Sequence, residues 1–281
     1  MTLGFSTYGM KTLSTENAIR EISRIGFDSV ELTVWPDWDA SPGNMSPGRR
    51  KRIKTLLSEE NLVLTSLMEH VYPSATEKEH ATTMPRLGSV FDLANDLATD
   101  SQKPLVQTVL GGGNWETKKT MLRDRVGDWL KLASDKNVVL AVKPHRGGVM
   151  SQPSEAVWLI EQLGHSPNLK IVYDYSHYAF RGLELEVTLE TALPYVAHVA
   201  VKDAVQRDGR VVFQLPGEAG TIDYVQLLHT LHSNEYRGDI SCEVSGMVWN
   251  KPGYDPIAAA EICYKNVAES FKKADVPRLS R

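Results

Sequence analysis

Cysteine is almost absent from this chain of 281 residues: Cys242 and Cys263 are the only two, and both sit inside apolar segments. That count excludes a disulfide scaffold and fits a reducing compartment, with two buried thiols as the plain reading. Long hydrophobic runs are missing as well. No apolar stretch approaches the roughly 18 residues a membrane helix needs, and Met1–Met10 reads as a polar-punctuated strand rather than a secretory leader. A cytoplasmic, soluble protein with no membrane partner is the expectation. No charge of one sign dominates either. The net charge of −4 leaves no electrostatic footprint for nucleic acid. There is no low-complexity segment and no G-x-G-x-x-G turn after the first strand, which argues against an open dinucleotide-binding sheet. What the chain does have is apolar material: 42% of its residues are hydrophobic and 23% charged, enough for one large core in a length typical of a single (β/α)8 barrel.

The pattern along the chain supports that count. Thr2–Tyr8, Ser29–Val34, Leu62–Met68, Leu105–Leu110, Val138–Val142, Leu169–Asp174, Val196–Lys202 and Asp239–Val244 read as eight strands. Between and after them, helical spacing predicts helices from Ser14, as N-cap, to Gly26, over Pro47–Glu59, over 80–99, and over Glu116–Lys136. The later ones are expected over Pro153–Leu163, Leu185–Leu193, Ile222–Ser233 and Pro256–Ala274. Asp203–Gly220 reads as a long loop with its own apolar patch, Val211-Val212-Phe213, and Pro277–Arg281 as a frayed tail. Alternating strands and helices with no composition break predict one domain, a parallel sheet closed into a TIM barrel.

In such a barrel the C-terminal strand ends converge on one mouth. Polar residues predicted at those ends are Tyr8, Glu31, Glu69, His70, Lys143, His145, Asp174, His177, Lys202, Asp203 and Glu243. The stretch Asn137–His145 stands out, because a buried β-branched strand ends directly in Lys143-Pro144-His145. Each residue also has a bland reading. Asp174 is equally a turn former, Glu31 an ion-pair partner, and His145 and His177 packed imidazoles; His165, His229 and His232 fall on helices or helix ends.

Four segments carry a resemblance. Ile25-Gly26-Phe27-Asp28-Ser29-Val30-Glu31-Leu32 is similar to a "G-F-D-x-V-E" second strand, Lys143-Pro144-His145 stands where "E-x-H" is expected, and Asp174-Tyr175-Ser176-His177 matches "D-x-x-H". The fourth, His198-Val199-Ala200-Val201-Lys202-Asp203 followed by Pro216-Gly217-Glu218-Ala219-Gly220-Thr221-Ile222-Asp223, resembles "H-x-H-x-K-D … P-G-x-G-x-I-D". Together they resemble the xylose isomerase-like superfamily, the sugar phosphate isomerase/epimerase family.

The resemblance implies a sugar substrate and one divalent ion, often manganese, held by a glutamate, an aspartate, a histidine and a glutamate from strands five to eight. Carried over residue by residue, only Asp174 and Glu243 survive. Lys143 replaces the strand-five glutamate and Ala200 the histidine. A protonated lysine has no lone pair and repels a cation. The expectation is therefore a metal-free mouth with a Lys143–Asp174–Glu243 cluster and no cofactor. His198 is expected to point inward one layer deeper.

Lys143, Glu243, Asp174 and Glu31 are the candidate catalytic residues, with Lys143 as electrophile and Glu243 as base. His145, His177, His70, Lys202, Asp203, Tyr8 and Trp35 are the candidate substrate-binding residues, with Trp38, Trp115 and Trp249 as further stacking surfaces. Three alternatives stay open: a sugar-binding member without chemistry, a conventional manganese-dependent isomerase that recruits ligands such as His70, and a member of the endonuclease branch. Lys143, Ala200 and the acidic charge speak against the last. The partner is a small-molecule carbohydrate, and self-association into a homo-oligomer stays open. Substrate phosphorylation is open too; Gly111-Gly112-Gly113 and Arg146-Gly147-Gly148 are the stretches suggestive of a phosphate site.

Overall fold

The computed structural model describes residues 1–99 and 103–279. Eight parallel strands close on themselves: β1 (Thr2–Ser6), β2 (Ser29–Thr33), β3 (Val63–Met68), β4 (Leu105–Thr108), β5 (Val139–Val142), β6 (Leu169–Tyr173), β7 (Val196–Val201) and β10 (Asp239–Cys242). They run in chain order around the barrel, and β1 pairs with both β2 and β10. The chain is a single (β/α)8 barrel. Among the described residues no helix is long and apolar enough to cross a membrane.

Local chemistry sets the helix limits. α1 (Thr15–Ile25) starts where the Ser14 side chain accepts from the Asn17 amide. It buries Ala18, Ile19 and Ile22 and stops at Gly26, whose φ of 107° an L side chain resists. A Cβ at Gly26 would also lie 2.9 Å from the Tyr264 hydroxyl. α2 (Pro47–Glu59) has Ser46 as cap and Pro47 at its first position, and buries Ile53, Leu56 and Leu57. The longer α3 (Glu77–Leu97) and α4 (Trp115–Asp135) follow β3 and β4, and α5 (Pro153–Gln162), α6 (Leu185–Ala192) and α7 (Tyr224–Ser233) continue the ring. A short α8 (Gly246–Trp249) and the closing α9 (Pro256–Lys273) complete it.

Besides the short α8, which the spacing does not mark, two segments differ from the sequence reading. Asp203–Gly220 is not a plain loop: β8 (Asp203–Arg207) and β9 (Arg210–Gln214) form an antiparallel ribbon, with Ala204 opposite Phe213. The ribbon turns at Asp208 and Gly209, both at positive φ (49° and 73°), as a two-residue hairpin requires. The supposed tail is also anchored as far as it is described. Arg278 grips Asp28 at 2.8 and 3.0 Å and donates to the Tyr264 hydroxyl and the Gly26 carbonyl, while the Leu279 amide donates to the Met1 carbonyl. Ser280 and Arg281 lie outside the described residues.

The strand period of two positions the site. Ala141, Val172 and Ala200 pack together with Leu105 as a small apolar cluster. Two residues further along β5, β6 and β7, on the same side, come Lys143, Asp174 and Lys202. Glu243 stands likewise two residues beyond Ser241, which pairs with Ala200.

Candidate functional site

Four charged side chains close across the barrel just above that apolar layer. Glu243 takes Lys143 Nζ at 2.5 Å on Oε2 and Lys202 Nζ at 2.6 Å on Oε1. Lys202 also donates to Asp174 Oδ2, whereas Lys143 lies 3.8 Å from that oxygen. The other Asp174 oxygen accepts from the Ser176 amide at 3.2 Å and its hydroxyl at 2.5 Å. All four charged residues are buried. The sequence reading puts a single ammonium, Lys143, between the two carboxylates. Two are present, and it is Lys202, expected to contact substrate, that bridges them.

The electrostatics follow from burial and pairing. Burial alone would raise both carboxyls, but Lys202 and His177 beside Asp174, and Lys143 and Lys202 beside Glu243, hold both well below the usual carboxylate range. For Lys202 burial pulls down and the two carboxylates pull harder, so its pKa rises above the ordinary lysine value. Around this core the imidazoles are neutral. Burial and the nearby cations push His145 down to about 2 and His70 to about 3. His177 falls to about 4 despite Asp174, 3.3 Å from its Nε2. The His145 and His177 rings lie 4.1 Å apart, and His177 meets Phe213 of β9 edge-on at 5.6 Å.

Glu31 lies beneath the mouth, fully buried. It accepts from Ser66 and Gln107, and its Oε2 is 3.3 Å from His198 Nε2, reaching inward from β7. Burial pushes its carboxyl up, but His198 and Lys143 win and hold it below the ordinary value. Its Oε1 has no partner. Asp203 faces the ribbon base instead of the mouth, accepting from the Ala219 amide at 2.8 Å and the Tyr224 hydroxyl at 3.0 Å. Glu69 is committed to Arg86.

An aromatic wall stands beside the charges. Tyr8 packs against Trp35, Trp38 and Trp249 at 5.2–5.7 Å between ring centres, and His70 lies tilted by 45° against Trp35 at 4.0 Å. Burial and Glu243 raise the Tyr8 hydroxyl to about 12. The indole N–H groups of Trp35 and Trp38 are buried without acceptors, whereas that of Trp249 faces the Tyr8 hydroxyl. Trp115 is elsewhere, edge-on to Trp158 between α4 and α5. A cavity of about 470 Å³ opens beside His70 and His145, bounded further by Tyr72, Gly111, Lys118 and Gly147, a size that suits a small ligand.

The divalent ion implied by the resemblance does not fit these donors. Both carboxylates are occupied by ammonium groups, which have no free lone pair. Among the described residues no group of three or more His, Cys, Asp or Glu side chains could hold a metal ion. Sequence reasoning did not single out Ser66, Gln107 and Phe213 as part of the site. The first two lie on the inward face of β3 and β4, legible only once the register is known, whereas the Asp208-Gly209 dipeptide does mark the hairpin that carries Phe213.

A family model described as xylose isomerase-like TIM barrel matches residues 19–263. Among solved structures, a xylose isomerase domain protein from Alicyclobacillus acidocaldarius superposes with a TM-score of 0.77 at 16% identity, over 98% of this chain and 99% of that one. The probable 3-DHS dehydratase AsbF of Bacillus anthracis gives 0.76 at 15%, covering 95% and 99%. D-Psicose 3-epimerase with D-tagatose, from Clostridium cellulolyticum H10, gives 0.74 at 15%, covering 96% and 99%. Identities this low speak for the fold alone. No curated protein sequence matches the chain.

Proposed function

The chain belongs to the xylose isomerase-like TIM barrel family, and from that premise we propose that it is a metal-independent enzyme of the sugar isomerase or epimerase kind. The observation that carries this reading is the Lys143–Lys202 ammonium pair closed on Asp174 and Glu243, where the resemblance implies a divalent cation. The epimerases among the structural relatives support the substrate class. So does the aromatic wall of Tyr8, Trp35, Trp38 and Trp249 beside the charges, the kind of surface on which a sugar ring packs.

In this reading the sugar enters the cavity beside His70 and His145, and its carbonyl oxygen takes a hydrogen bond from Lys143. Developing negative charge on that oxygen is then stabilised by the Lys143 ammonium in a dry site. Glu243 is a feeble base while two ammonium groups hold it. Once the carbonyl draws Lys143 away, one grip is lost and its basicity rises at the moment a C–H proton must leave. His145 and His177, both neutral, would orient hydroxyls.

A second reading, a sugar-binding member without turnover, is favoured by one observation: burial holds His70, His145 and His177 well below neutrality, while pairing holds Lys202 above and Glu243 below their ordinary ranges. One experiment separates the two. Chelator-treated protein is assayed for metal content, then incubated with neutral ketoses and aldoses in D2O and followed by NMR. Turnover or deuterium uptake at a sugar carbon without metal supports the enzyme. Binding without exchange selects the second reading, and activity that appears only with added manganese overturns metal independence.

A further inference from the structure

Among the described residues Arg146 is the one half-buried arginine that has neither a carboxylate nor any hydrogen-bond acceptor. Seven others, Arg24, Arg49, Arg50, Arg86, Arg123, Arg125 and Arg278, make ion pairs. Arg181 and Arg237 donate to carbonyls, and Arg20, Arg52, Arg207 and Arg210 are exposed. The Arg146 Nε is fully buried with no partner. That N–H has given up water without a hydrogen-bond acceptor in exchange, while the rest of the half-buried guanidinium lies against an aromatic ring. The arrangement makes sense if an acceptor arrives from outside.

Its position says which molecule would bring that acceptor. Arg146 directly follows His145 at the end of β5. The turn that carries it is fixed: the Gly148 amide donates to the His145 carbonyl at 2.7 Å, the His145 amide to Met150 at 2.9 Å, and the Val149 amide to Gly111 at 2.6 Å. The Gly147 amide is spent too, on His145 Nδ1 at 3.2 Å. These backbone donors are therefore used up, and the turn is no phosphate-cradling loop; what it offers is the side chain. That side chain lies against Phe213, with Cζ 5.1 Å from the ring centre, and Lys202 Nζ lies 5.5 Å from the same centre. Arg146 and the mouth cation Lys202 thus share one ring as neighbour. The cavity that His145, Gly147 and Gly148 line also carries Lys118 and no carboxylate.

We propose that Arg146 binds an anionic group, carboxylate or phosphate, on the sugar that occupies the mouth, so that the substrate is an acidic sugar rather than a neutral one. A planar guanidinium pairs with either group through two parallel hydrogen bonds. The assignment rests on the reading of the mouth as a sugar site and narrows it.

The test uses the full chain, by thermal shift and titration calorimetry, with sodium acetate and sodium phosphate against sodium chloride at matched ionic strength. D-Fructose and D-glucose serve as neutral probes. Wild type is compared with R146M, which keeps the apolar stem on Phe213, and with R146K; circular dichroism in chloride checks that each variant is folded. The expected result is stabilisation of wild type by acetate or phosphate, binding at least tenfold weaker in R146M, and partial recovery in R146K. A response to acetate identifies a carboxylate, one to phosphate alone a phosphate ester. Equal responses in wild type and R146M, or none in wild type, overturn the assignment. The neutral probes report on the parent reading by themselves: binding that R146M leaves intact keeps the sugar site even where the anion assignment falls.

Discussion

Lys143 and Lys202 hold opposite oxygens of one carboxylate, Glu243, at 2.5 and 2.6 Å, yet only Lys202 also closes on Asp174. The two lysines are therefore unequal. Lys202→Met strips an ammonium from two buried carboxylates and is expected to cost about 3–5 kcal/mol, as for one partner lost from a buried pair. Lys143→Met should cost less, because Lys202 still neutralises both acids. Urea unfolding at pH 7 measures both. Adding Asp174→Asn to Lys202→Met should recover part of the loss, and no recovery would deny the coupling.

The neutral histidines set an acid limit to stability. His177 is held at about 4, His70 at about 3 and His145 at about 2, all below the ordinary 6.5. Below pH 6.5 the unfolded chain therefore takes up protons that the folded chain refuses, and stability falls as pH drops toward those values. Asp174 and Glu243, held below their ordinary range, add a second loss that begins near pH 4. Melting temperature should be steady from pH 7 to 8 and decline below about 6.5. His177→Gln should flatten that decline by about 1 kcal/mol per pH unit between pH 6 and 5.

Restoring the donors that the resemblance assigns should restore metal binding. Lys143→Glu with Ala200→His removes one ammonium and adds two ligands. Saturating manganese is expected to raise the melting temperature of this double variant by roughly 5 °C or more and to leave wild type unchanged. A wild-type response of the same size would refute the reading of the lysines as the ion's replacement.

For the proposed chemistry, Lys143→Met should lower kcat by about 100- to 1,000-fold with little change in KM, the mark of a group that acts on developing charge. Lys202, held protonated above the ordinary lysine range, should form no Schiff base. Borohydride trapping with a carbonyl sugar, read by intact mass, should find no adduct at that residue.

Periodicity and caps made the barrel legible because each signal is local: Ser14 and Gly26 bracket α1 within a residue of their expected places, and Pro47–Glu59 is the helix the spacing implies. The mouth was legible as a set of positions but not as a set of bonds. The same step of two that placed Ala200 on the inner face also places Lys202 there, yet which cation bridges Asp174 and Glu243 depends on side-chain reach across the barrel, which no spacing encodes. Glu31 was expected at the rim. It sits lower because its partners Ser66, Gln107 and His198 come from three other strands.

The ribbon has a consequence for how the mouth selects its guests. Its first residue is nailed down, since Asp203 takes both the Ala219 amide and the Tyr224 hydroxyl, and Phe213 stands opposite Ala204, one rung above that anchor. Phe213 therefore sits at the anchored end of the hairpin, away from its turn at Asp208 and Gly209. In the proposed reading the ring over Lys202 and Arg146 is a wall of the mouth built on the anchored rungs of the ribbon, against which a bound sugar would be fitted by shape.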